Sequence, residues 1–356
     1  MKSDSIDEHS GMEIGIYTLG DLVPDWETGN RICARQRLQE IIDAAKMADE
    51  AGLDVVGVGE HHRLDYAVSA PPIVLSAISQ VTKRIKLASA TTVLSTVDPV
   101  RLFEDFATLD LLSNGRAEII AGRGAFIESF PLFGYDLDDY DQLFEENIKL
   151  FQQLNAQERV TWNGQFRSPM QDAEIAPRPM QENIPLWVGV GGTPSSAARA
   201  GRLGTSLAIA ILGGEHIRFK PLVDVYRQAA REAGHAPESM KVAVTGHAYI
   251  SETTQKAKDE FYPYHSNYWG YFNRQRGMSA RMSRADFEEM AGPETALFVG
   301  SSQQIIEKIL HQHELYGHQR FIAQMDIGGM PFKQVAESIE RLATEVAPVV
   351  PRETSK

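Results

Sequence analysis

The sequence predicts one α/β domain, residues 1–356, folded as a single (β/α)8 barrel of the TIM type. Short apolar, β-branched runs alternate with segments of helical period through eight units. The pattern has two interruptions: a small hairpin excursion before strand 5, and a long insertion, residues 251–300, between strand 7 and helix 7. No G-x-G-x-x-G turn follows the first strand, which argues against a dinucleotide-binding fold. An open doubly wound sheet remains the alternative, but it would require several predicted strands to be absent.

Four strand–helix units make up the first half of the chain. The predicted strands are residues 12–19, 55–62, 85–94 and 116–121, and the predicted helices are residues 37–51, 71–81, 100–112 and 140–154. Gly52 has the helix-ending role typical of glycine, and Asp98-Pro99 has the cap and first-turn proline of a helix start. Asn163-Gly164 is a hairpin signal, so residues 160–166 are predicted to form a ribbon outside the main repeat.

The second half continues the alternation after that ribbon. Predicted strands are residues 185–190, 206–212, 242–250 and 320–327, and predicted helices are residues 194–200, 215–233, 303–316 and 332–347. The insertion is rich in aromatic residues and arginines: Phe261, Tyr262, Tyr264, Tyr268, Trp269, Tyr271, Phe272, Arg274, Arg276, Arg281 and Arg284. It predicts either a mobile lid over the active site or an extra helical packing layer or dimer contact. Its composition favours a flat or anionic substrate.

Composition excludes several classes of partner. The net charge is −13 with no block of Lys and Arg, so binding to nucleic acid or to an anionic membrane has little electrostatic support. No apolar run approaches the roughly 20 residues that span a bilayer, and residues 1–11 are polar and acidic, unlike a secretory signal. We therefore expect a cytoplasmic protein that acts on small molecules. The single cysteine, Cys33, cannot form an internal disulfide or a thiolate metal site.

The second predicted strand ends in three ionisable residues, Glu60, His61 and His62. In a parallel barrel the carboxyl ends of the strands share one mouth, where chemistry is done. Adjacent residues of a strand point to opposite sides, so one of the two histidines should face the centre. A metal site would need further ligands at other strand ends, and the histidines of the helix near residue 311 (His311, His313 and His318) are expected at the surface. A solvent-facing loop is the remaining interpretation.

Two other strand ends are suited to an anion. Arg123 lies between Gly122 and Gly124, and a glycine-rich turn, residues 189–193, leads directly into a predicted helix. Arginine pairs with phosphate or carboxylate oxygens, and a helix N-terminus offers unpaired N–H groups and a favourable dipole. Together they predict a phosphate-bearing ligand. Residues 89–92 (SATT) are small enough for a flat ring to lie against the backbone, although ordinary packing would also explain them.

These motifs, in this order, resemble the bacterial luciferase-like family of flavin-dependent monooxygenases from about residue 12 to residue 346. The resemblance rests on four features: the strand ending Glu60-His61-His62; residues 88–110 (ASATTVLSTVDPVRLFEDFATLD); residues 112–116 (LSNGR) leading to Gly122-Arg123-Gly124 and Phe133-Gly134; and residues 185–201 (PLWVGVGGTPSSAARAG). The family fold is a (β/α)8 barrel with a late excursion, which agrees with the count of elements.

The resemblance implies FMN at the barrel mouth, with its ring against a bulge that has a cis peptide at Ala90-Thr91. His61 matches the catalytic histidine, and His62 is a second, supporting catalytic residue. The implied cofactor contacts are Gly59, Ala90, Thr91, Arg123, Ala125, Gly191, Gly192, Thr193 and Ser195, with the last four and Arg123 on the phosphate. No metal is implied.

The implied activity uses reduced FMN, supplied by a separate NAD(P)H:flavin reductase, and O₂ to oxygenate a small organic substrate. A homodimer is expected, as in other family members. Luciferases carry a reactive cysteine where this chain has Gly122, so light emission is not expected. The residues leave three alternatives open: a deazaflavin (F420)-dependent dehydrogenase on the same barrel, a flavin-binding protein without catalysis, and a metal-dependent hydrolase.

Overall fold

The computed structural model describes residues 11–124, 126–275 and 281–355. Its strands are β1 (Glu13–Thr18), β2 (Val55–Val58), β3 (Lys86–Val93), β4 (Ala117–Gly122), β5 (Arg159–Trp162), β6 (Met170–Glu174), β7 (Leu186–Val190), β8 (Ser206–Ala210), β9 (Val242–Ile250), β10 (Phe298–Gly300) and β11 (Arg320–Gln324). Eight of them form a closed parallel barrel in the order β1, β2, β3, β4, β7, β8, β9, β11, with β11 pairing back to β1. The predicted (β/α)8 barrel is confirmed.

Helices cover the outside of the barrel. They are α1 (Ala34–Glu50), α2 (Pro71–Ser79), α3 (Pro99–Ser113), α4 (Ser129–Phe133), α5 (Tyr140–Ala156), α6 (Pro194–Arg202), α7 (Lys220–Glu232), α8 (Thr254–Gln275), α9 (Arg284–Met290), α10 (Ser302–Tyr316), α11 (Phe332–Arg341) and α12 (Val350–Thr354). The Asp98 side chain accepts hydrogen bonds from the backbone N–H groups of Val100 and Arg101, so the predicted cap of α3 is confirmed. None of the described helices has the length and apolar character needed to cross a membrane.

A buried ion-pair network closes the barrel at the amino ends of its strands. The guanidinium of Arg320, fully buried, donates to Oε2 of Glu118 at 2.6 Å and to Oε2 of Glu13 at 2.6 Å, and lies 4.4 Å from the centre of the Trp187 ring. Burial acts to raise the pKa of Glu13, but Arg320 and Lys86 outweigh it and lower that pKa to about 2. Paired charge therefore occupies this end of the barrel.

The predicted ribbon exists, but its turn was placed wrongly. Strand β5 pairs antiparallel with β6, and residues 163–169 connect them, so Asn163-Gly164 does not form a two-residue hairpin turn. The carboxylate of Glu146 accepts hydrogen bonds from the backbone N–H groups of Gln165, Phe166 and Arg167. A tertiary contact with α5 thus shapes this loop and overrides the local turn signal.

The expectation that the three histidines near α10 lie at the surface was wrong for His318, which is fully buried, while His311 and His313 are partly buried. His318 follows the turn at Gly317 and packs beside Tyr316, with ring centres 6.1 Å apart. Burial lowers the pKa of His318 to about 3, and the same cause lowers the pKa of the fully buried His216 to about 3. Both rings therefore act as neutral core aromatics.

The insertion is helical and packs over the barrel. Within it, α8 and α9 precede β10, which pairs with the outer part of β9. The side-chain amide of Asn267 on α8 donates to the carbonyls of Pro24 and Gly328 at 2.7 and 3.0 Å. Arg284 pairs with Asp259 and Glu288 away from the mouth, and the predicted Arg276 lies outside the described residues. A lid-like role for the insertion stays a prediction.

Candidate active site

A cavity of about 530 Å³ opens at the carboxyl ends of the barrel strands. Most predicted site residues line it: His61, His62, Ala90, Thr91, Arg123, Gly191 and Thr193. Three do not: Gly59 is buried behind Ala90, and Gly192 and Ser195 are exposed outside the lining. Ala125 lies outside the described residues. The mouth thus gathers residues that are far apart in sequence.

One wall of the cavity is a bulge in β3 surrounded by glycines. The Ala90-Thr91 peptide is cis, and the β3–β4 ladder shifts register between Ala90 and Thr92. A Cβ on Gly57 would lie 2.8 Å from Cβ of Ala90, and a Cβ on Gly189 would lie 2.9 Å from Cγ2 of Thr91. Both contacts are closer than side chains tolerate, so glycine is needed at both positions. Glycine inside a predicted strand was the sequence signal for this close approach.

The anion-suited elements meet on one side of the mouth. The guanidinium of Arg123 donates through Nη2 to Oγ of Ser196 at 2.9 Å, in the first turn of α6, and lies 4.7 Å from the centre of the Tyr140 ring. Thr193, the N-cap residue of α6, forms no side-chain capping hydrogen bond. A Cβ on Gly191 would meet no atom within 4 Å, so there is room beside the turn. A fixed cation at a helix N-terminus is suited to a phosphate.

A second arginine, Arg199 of α6, supports this site and was not found from the sequence. The same Asp141 oxygen accepts from Nη1 of Arg123 and from Nη2 of Arg199, the latter at 2.9 Å. The hydrogen bond from Arg199 is the largest effect on Asp141 and, with Arg123, lowers the pKa of that carboxyl. Two guanidinium groups thus share the Asp141 carboxylate, and Oε2 of Glu145 lies 3.9 Å from Nε of Arg199.

His61 is held in an aromatic and acidic pocket. Only 9% of its side chain is exposed, its ring stacks on Tyr66 with centres 4.0 Å apart, and the edge of Phe126 lies 5.1 Å away. Its Nδ1 lies 3.6 Å from Oε1 of Glu128. Burial acts to raise the pKa of Glu128, but the contact with His61 and the charge of Arg63 outweigh it, so the pKa is lowered. The ionised carboxylate favours a proton on Nδ1 and leaves Nε2 for chemistry.

His62 is tied to the bulge through Glu60. Nε2 of His62 lies 2.7 Å from Oε1 of Glu60, while Oε2 of Glu60 accepts from the backbone N–H of Val93 at 3.0 Å. The His62 ring also meets the edge of Phe133, with ring centres 4.9 Å apart. Glu60 therefore links His62 to the end of β3. This geometry suits the supporting role predicted for His62.

The described part of the chain was searched for a set of side chains that could bind a metal ion. Within residues 11–124, 126–275 and 281–355, no three His, Cys, Asp or Glu side chains are grouped as a metal ion would require. The mouth instead offers a guanidinium and a helix N-terminus, which suit a phosphate. It also offers a flat, glycine-flanked bulge, which suits a planar ring. A barrel with this mouth belongs to the class of flavin-type oxidoreductases.

Comparison with known proteins identifies the family. The profile of the luciferase-like monooxygenases matches residues 12–319, and the chain belongs to that family. The resemblance inferred from the motifs is confirmed.

Individual relatives agree with this assignment. The oxygenase component of a flavin-dependent trigonelline monooxygenase from Acinetobacter baylyi is 26% identical, over 95% of both chains. The crystal structure of monooxygenase RslO1 from Streptomyces bottropensis superposes with a TM-score of 0.80 at 25% identity, covering 95% of this chain and 99% of that one. The FMN complex of the oxygenating constituent of 3,6-diketocamphane monooxygenase from Pseudomonas putida shares the fold, with a TM-score of 0.77 at 20% identity, covering 96% of this chain and 99% of that one.

Another relative of this chain has a different cofactor in its name. An F420-dependent glucose-6-phosphate dehydrogenase from Amycolatopsis mediterranei is 28% identical, over 57% of this chain and 62% of its own length. The predicted class, a flavin-dependent monooxygenase, is confirmed at the level of the family and its full-length relatives.

Proposed function

We propose that this chain is the oxygenase component of a two-component FMN monooxygenase. It would accept reduced FMN from a separate NAD(P)H:flavin reductase and use O₂ to add one oxygen atom to a small organic substrate. One observation carries the proposal: a single cavity joins a cationic helix N-terminus, a glycine-flanked bulge and the His61–Glu128 pair. We also propose a cytoplasmic location, in keeping with a reductase that draws on NAD(P)H.

Different residues of the mouth would bind the phosphate and the ring of FMN. Arg123 and the first turn of α6 would bind the phosphate, together with the turn formed by Gly191, Gly192, Thr193 and Ser195. The bulge at Ala90-Thr91 would support the ring, with Gly59 behind it and Ala125 beside Arg123 along the chain. Reduced FMN, when bound, supplies the electrons that activate O₂.

His61 would manage protons at the reacting centre. Nδ1 of His61 faces the Glu128 carboxylate at 3.6 Å, so Nε2 would be the atom that gives or takes a proton. The Tyr66 ring stacked on the imidazole fixes its orientation. Phe126, Tyr268 and Phe272 cover the cavity with apolar surface and exclude water.

A hydride-transferring F420 dehydrogenase is the second candidate, because a relative of this class matches part of the chain. An anion site and a flat wall would serve either cofactor. To separate the two, the purified protein is mixed anaerobically with reduced FMN, or with F420 as the control, and air is then admitted while absorbance is followed. We expect reduced FMN to bind and to reoxidise more slowly than free reduced FMN. Failure to bind either form of FMN would overturn the proposal.

We also propose a homodimer formed through the outer faces of α2 and α3. Large apolar side chains are exposed there: Ile73 on α2, and Leu111 and Leu112 on α3. These side chains are candidate contacts with a second copy of the chain. Light scattering coupled to size exclusion should give twice the mass of one chain, and Leu112→Glu should reduce it to that of a monomer. A monomeric parent protein would contradict this arrangement.

A further inference from the structure

A buried carboxyl, that of Asp21, lies beside the stacked rings of His61 and Tyr66. Asp21 follows β1 and forms an isolated antiparallel bridge with Tyr66, so the two side chains lie on the same side of the bridge. Only 4% of Asp21 is exposed, and its Oδ1 accepts from the backbone N–H of Val23 at 3.1 Å. Its Oδ2 is buried and has no hydrogen-bond partner anywhere in residues 11–124, 126–275 and 281–355. A negative charge on that oxygen would be costly, so the geometry favours a carboxyl that carries a proton.

The charged groups around Asp21 leave it poised near neutrality. The guanidinium of Arg37 on α1 pairs with the carboxylate of Asp326 at 2.9 Å, so it is already engaged with another acid. Burial is the main effect on Asp21, Arg37 partly offsets it, and Asp326 adds to it, so the pKa of Asp21 is raised to about 7. The titratable and charged groups that face Asp21 are Arg37, Asp326, Tyr66 and Tyr268. Near pH 7 Asp21 can therefore both hold and release a proton.

Two tyrosines connect Asp21 with the cavity. Tyr268 of α8 lines the cavity, and its ring meets Phe272, which also stacks on Tyr66. Burial, followed by Tyr268 and Asp21, raises the pKa of Tyr66, and burial followed by Asp21 raises the pKa of Tyr268. Both hydroxyls therefore keep their protons at neutral pH, and neither is a source of acid. A hydroxyl can still accept one proton while it donates its own, so the pair is suited to passing a proton on.

We propose that Asp21 is the proton store of the cavity and that Tyr66 and Tyr268 pass its proton to the reacting groups. The inference rests on the proposed function and deepens it. Reduced FMN as its anion, O₂, the substrate and one proton give oxidised FMN, the oxygenated substrate and water, so each turnover consumes one proton. Oδ2 of Asp21 gives its proton to Oη of Tyr66, the Tyr66 proton moves to Oη of Tyr268, and the Tyr268 proton enters the cavity. Asp21 is left as a carboxylate and regains a proton from solvent.

The first measurement needs no flavin. Infrared difference spectra of the full chain, recorded between about pH 5 and pH 9, detect a carboxyl that loses its proton in this range, where ordinary carboxyls are already ionised. We expect a carboxylic acid band that disappears with a midpoint near pH 7 and is absent from Asp21→Asn. Asp224→Asn, at a carboxyl of α7 with 56% of its side chain exposed, is the matched control and should keep the band. A parent protein without the band, or an Asp21→Asn variant that retains it, would overturn the proton store.

The second measurement tests the path through the hydroxyls. Bound reduced FMN is exposed to O₂ without organic substrate, and the release of H₂O₂ is followed, because this reaction also consumes one proton. Tyr66→Phe keeps the ring on His61 and removes the hydroxyl, so it should slow release by about 10- to 100-fold while the infrared band stays. Asp21→Asn should slow release as well and abolish the decrease in rate that the parent shows as the pH rises through about 7.

A matched control separates the path from the loss of any buried hydroxyl. Tyr249→Phe removes the hydroxyl that donates to Oε2 of Glu260 at 3.1 Å, and it should release H₂O₂ at the rate of the parent protein. Release at the parent rate in Tyr66→Phe, or an equal slowing in Tyr249→Phe, would overturn the path. Loss of FMN binding by the parent protein would count against the proposed function instead, and the infrared result would still decide whether Asp21 stores a proton.

Discussion

Nδ1 of His61 lies 3.6 Å from the carboxylate of Glu128, although 67 residues of chain separate them. His61 follows β2, and Glu128 lies in the connection after β4, just before α4. The barrel brings these two strand ends together, and the Tyr66 ring holds the imidazole from its other side. The pair resembles the carboxylate–histidine arrangement by which many enzymes fix a histidine tautomer.

His61→Ala should retain FMN and lose turnover. The variant removes the group assigned to proton transfer, so turnover should fall by about 10²- to 10⁴-fold. The FMN dissociation constant should stay within about threefold, since the phosphate and bulge contacts remain. Turnover and FMN affinity are measured on the same preparation with a chemically supplied reduced flavin. Unchanged turnover would end the catalytic role of His61.

Arg123→Ala should weaken FMN far more than riboflavin. A charge-assisted hydrogen bond contributes about 1.5–3 kcal/mol, so FMN affinity should fall by about 10- to 100-fold. Riboflavin lacks the phosphate and should lose little. Arg101→Ala, at an arginine of α3 with 68% of its side chain exposed, is the control and should affect neither ligand. Equal losses for the two flavins would remove Arg123 from the phosphate site.

The sequence predicted the site residues that stand at the ends of strands. It did not predict the residues that reach the site only through contacts between distant parts of the chain. Glu60, His61, Arg123 and Gly191 stand at the ends of predicted strands, and a parallel barrel brings all such ends to one mouth. No sequence motif marks Glu128 or Arg199. Glu128 lies in the long connection after β4 and Arg199 lies in α6, and their contacts depend on how these segments pack against other parts of the barrel. The polar composition around α10 likewise concealed the burial of His318.

Gly189→Ala should disturb the bulge, and Thr91→Ser should rescue it. A Cβ at residue 189 would lie 2.9 Å from Cγ2 of Thr91, whereas its next neighbours are at 3.6 and 3.7 Å. Overpacking of this kind costs about 1–3 kcal/mol, so the single variant should unfold at a lower temperature and bind FMN more weakly. Serine lacks the Cγ2 atom, so the double variant should recover both properties. No recovery would show that the bulge is not limited by this contact.

The buried histidines should make the fold sensitive to mild acid. His216 and His318 have pKa values lowered to about 3, against 6.5 when exposed. Between these values the unfolded chain binds protons that the folded chain does not, so stability is constant above about pH 6.5 and falls as the pH decreases. From pH 6.5 to pH 5 the loss should be about 2 kcal/mol for each histidine.

His318→Gln should reduce this sensitivity. Urea unfolding at pH 7.5 and pH 5.0 gives the difference in the free energy of unfolding, and the variant should lose about 2 kcal/mol less than the parent protein over that interval. Other titrating groups contribute equally to both proteins, so they cancel in the comparison. His235→Gln, at a histidine that bonds the carbonyl of Arg202 near the surface, is the control and should behave as the parent does. An equal loss of stability in His318→Gln and the parent would show that His318 binds its proton as readily in the folded protein as in the unfolded chain.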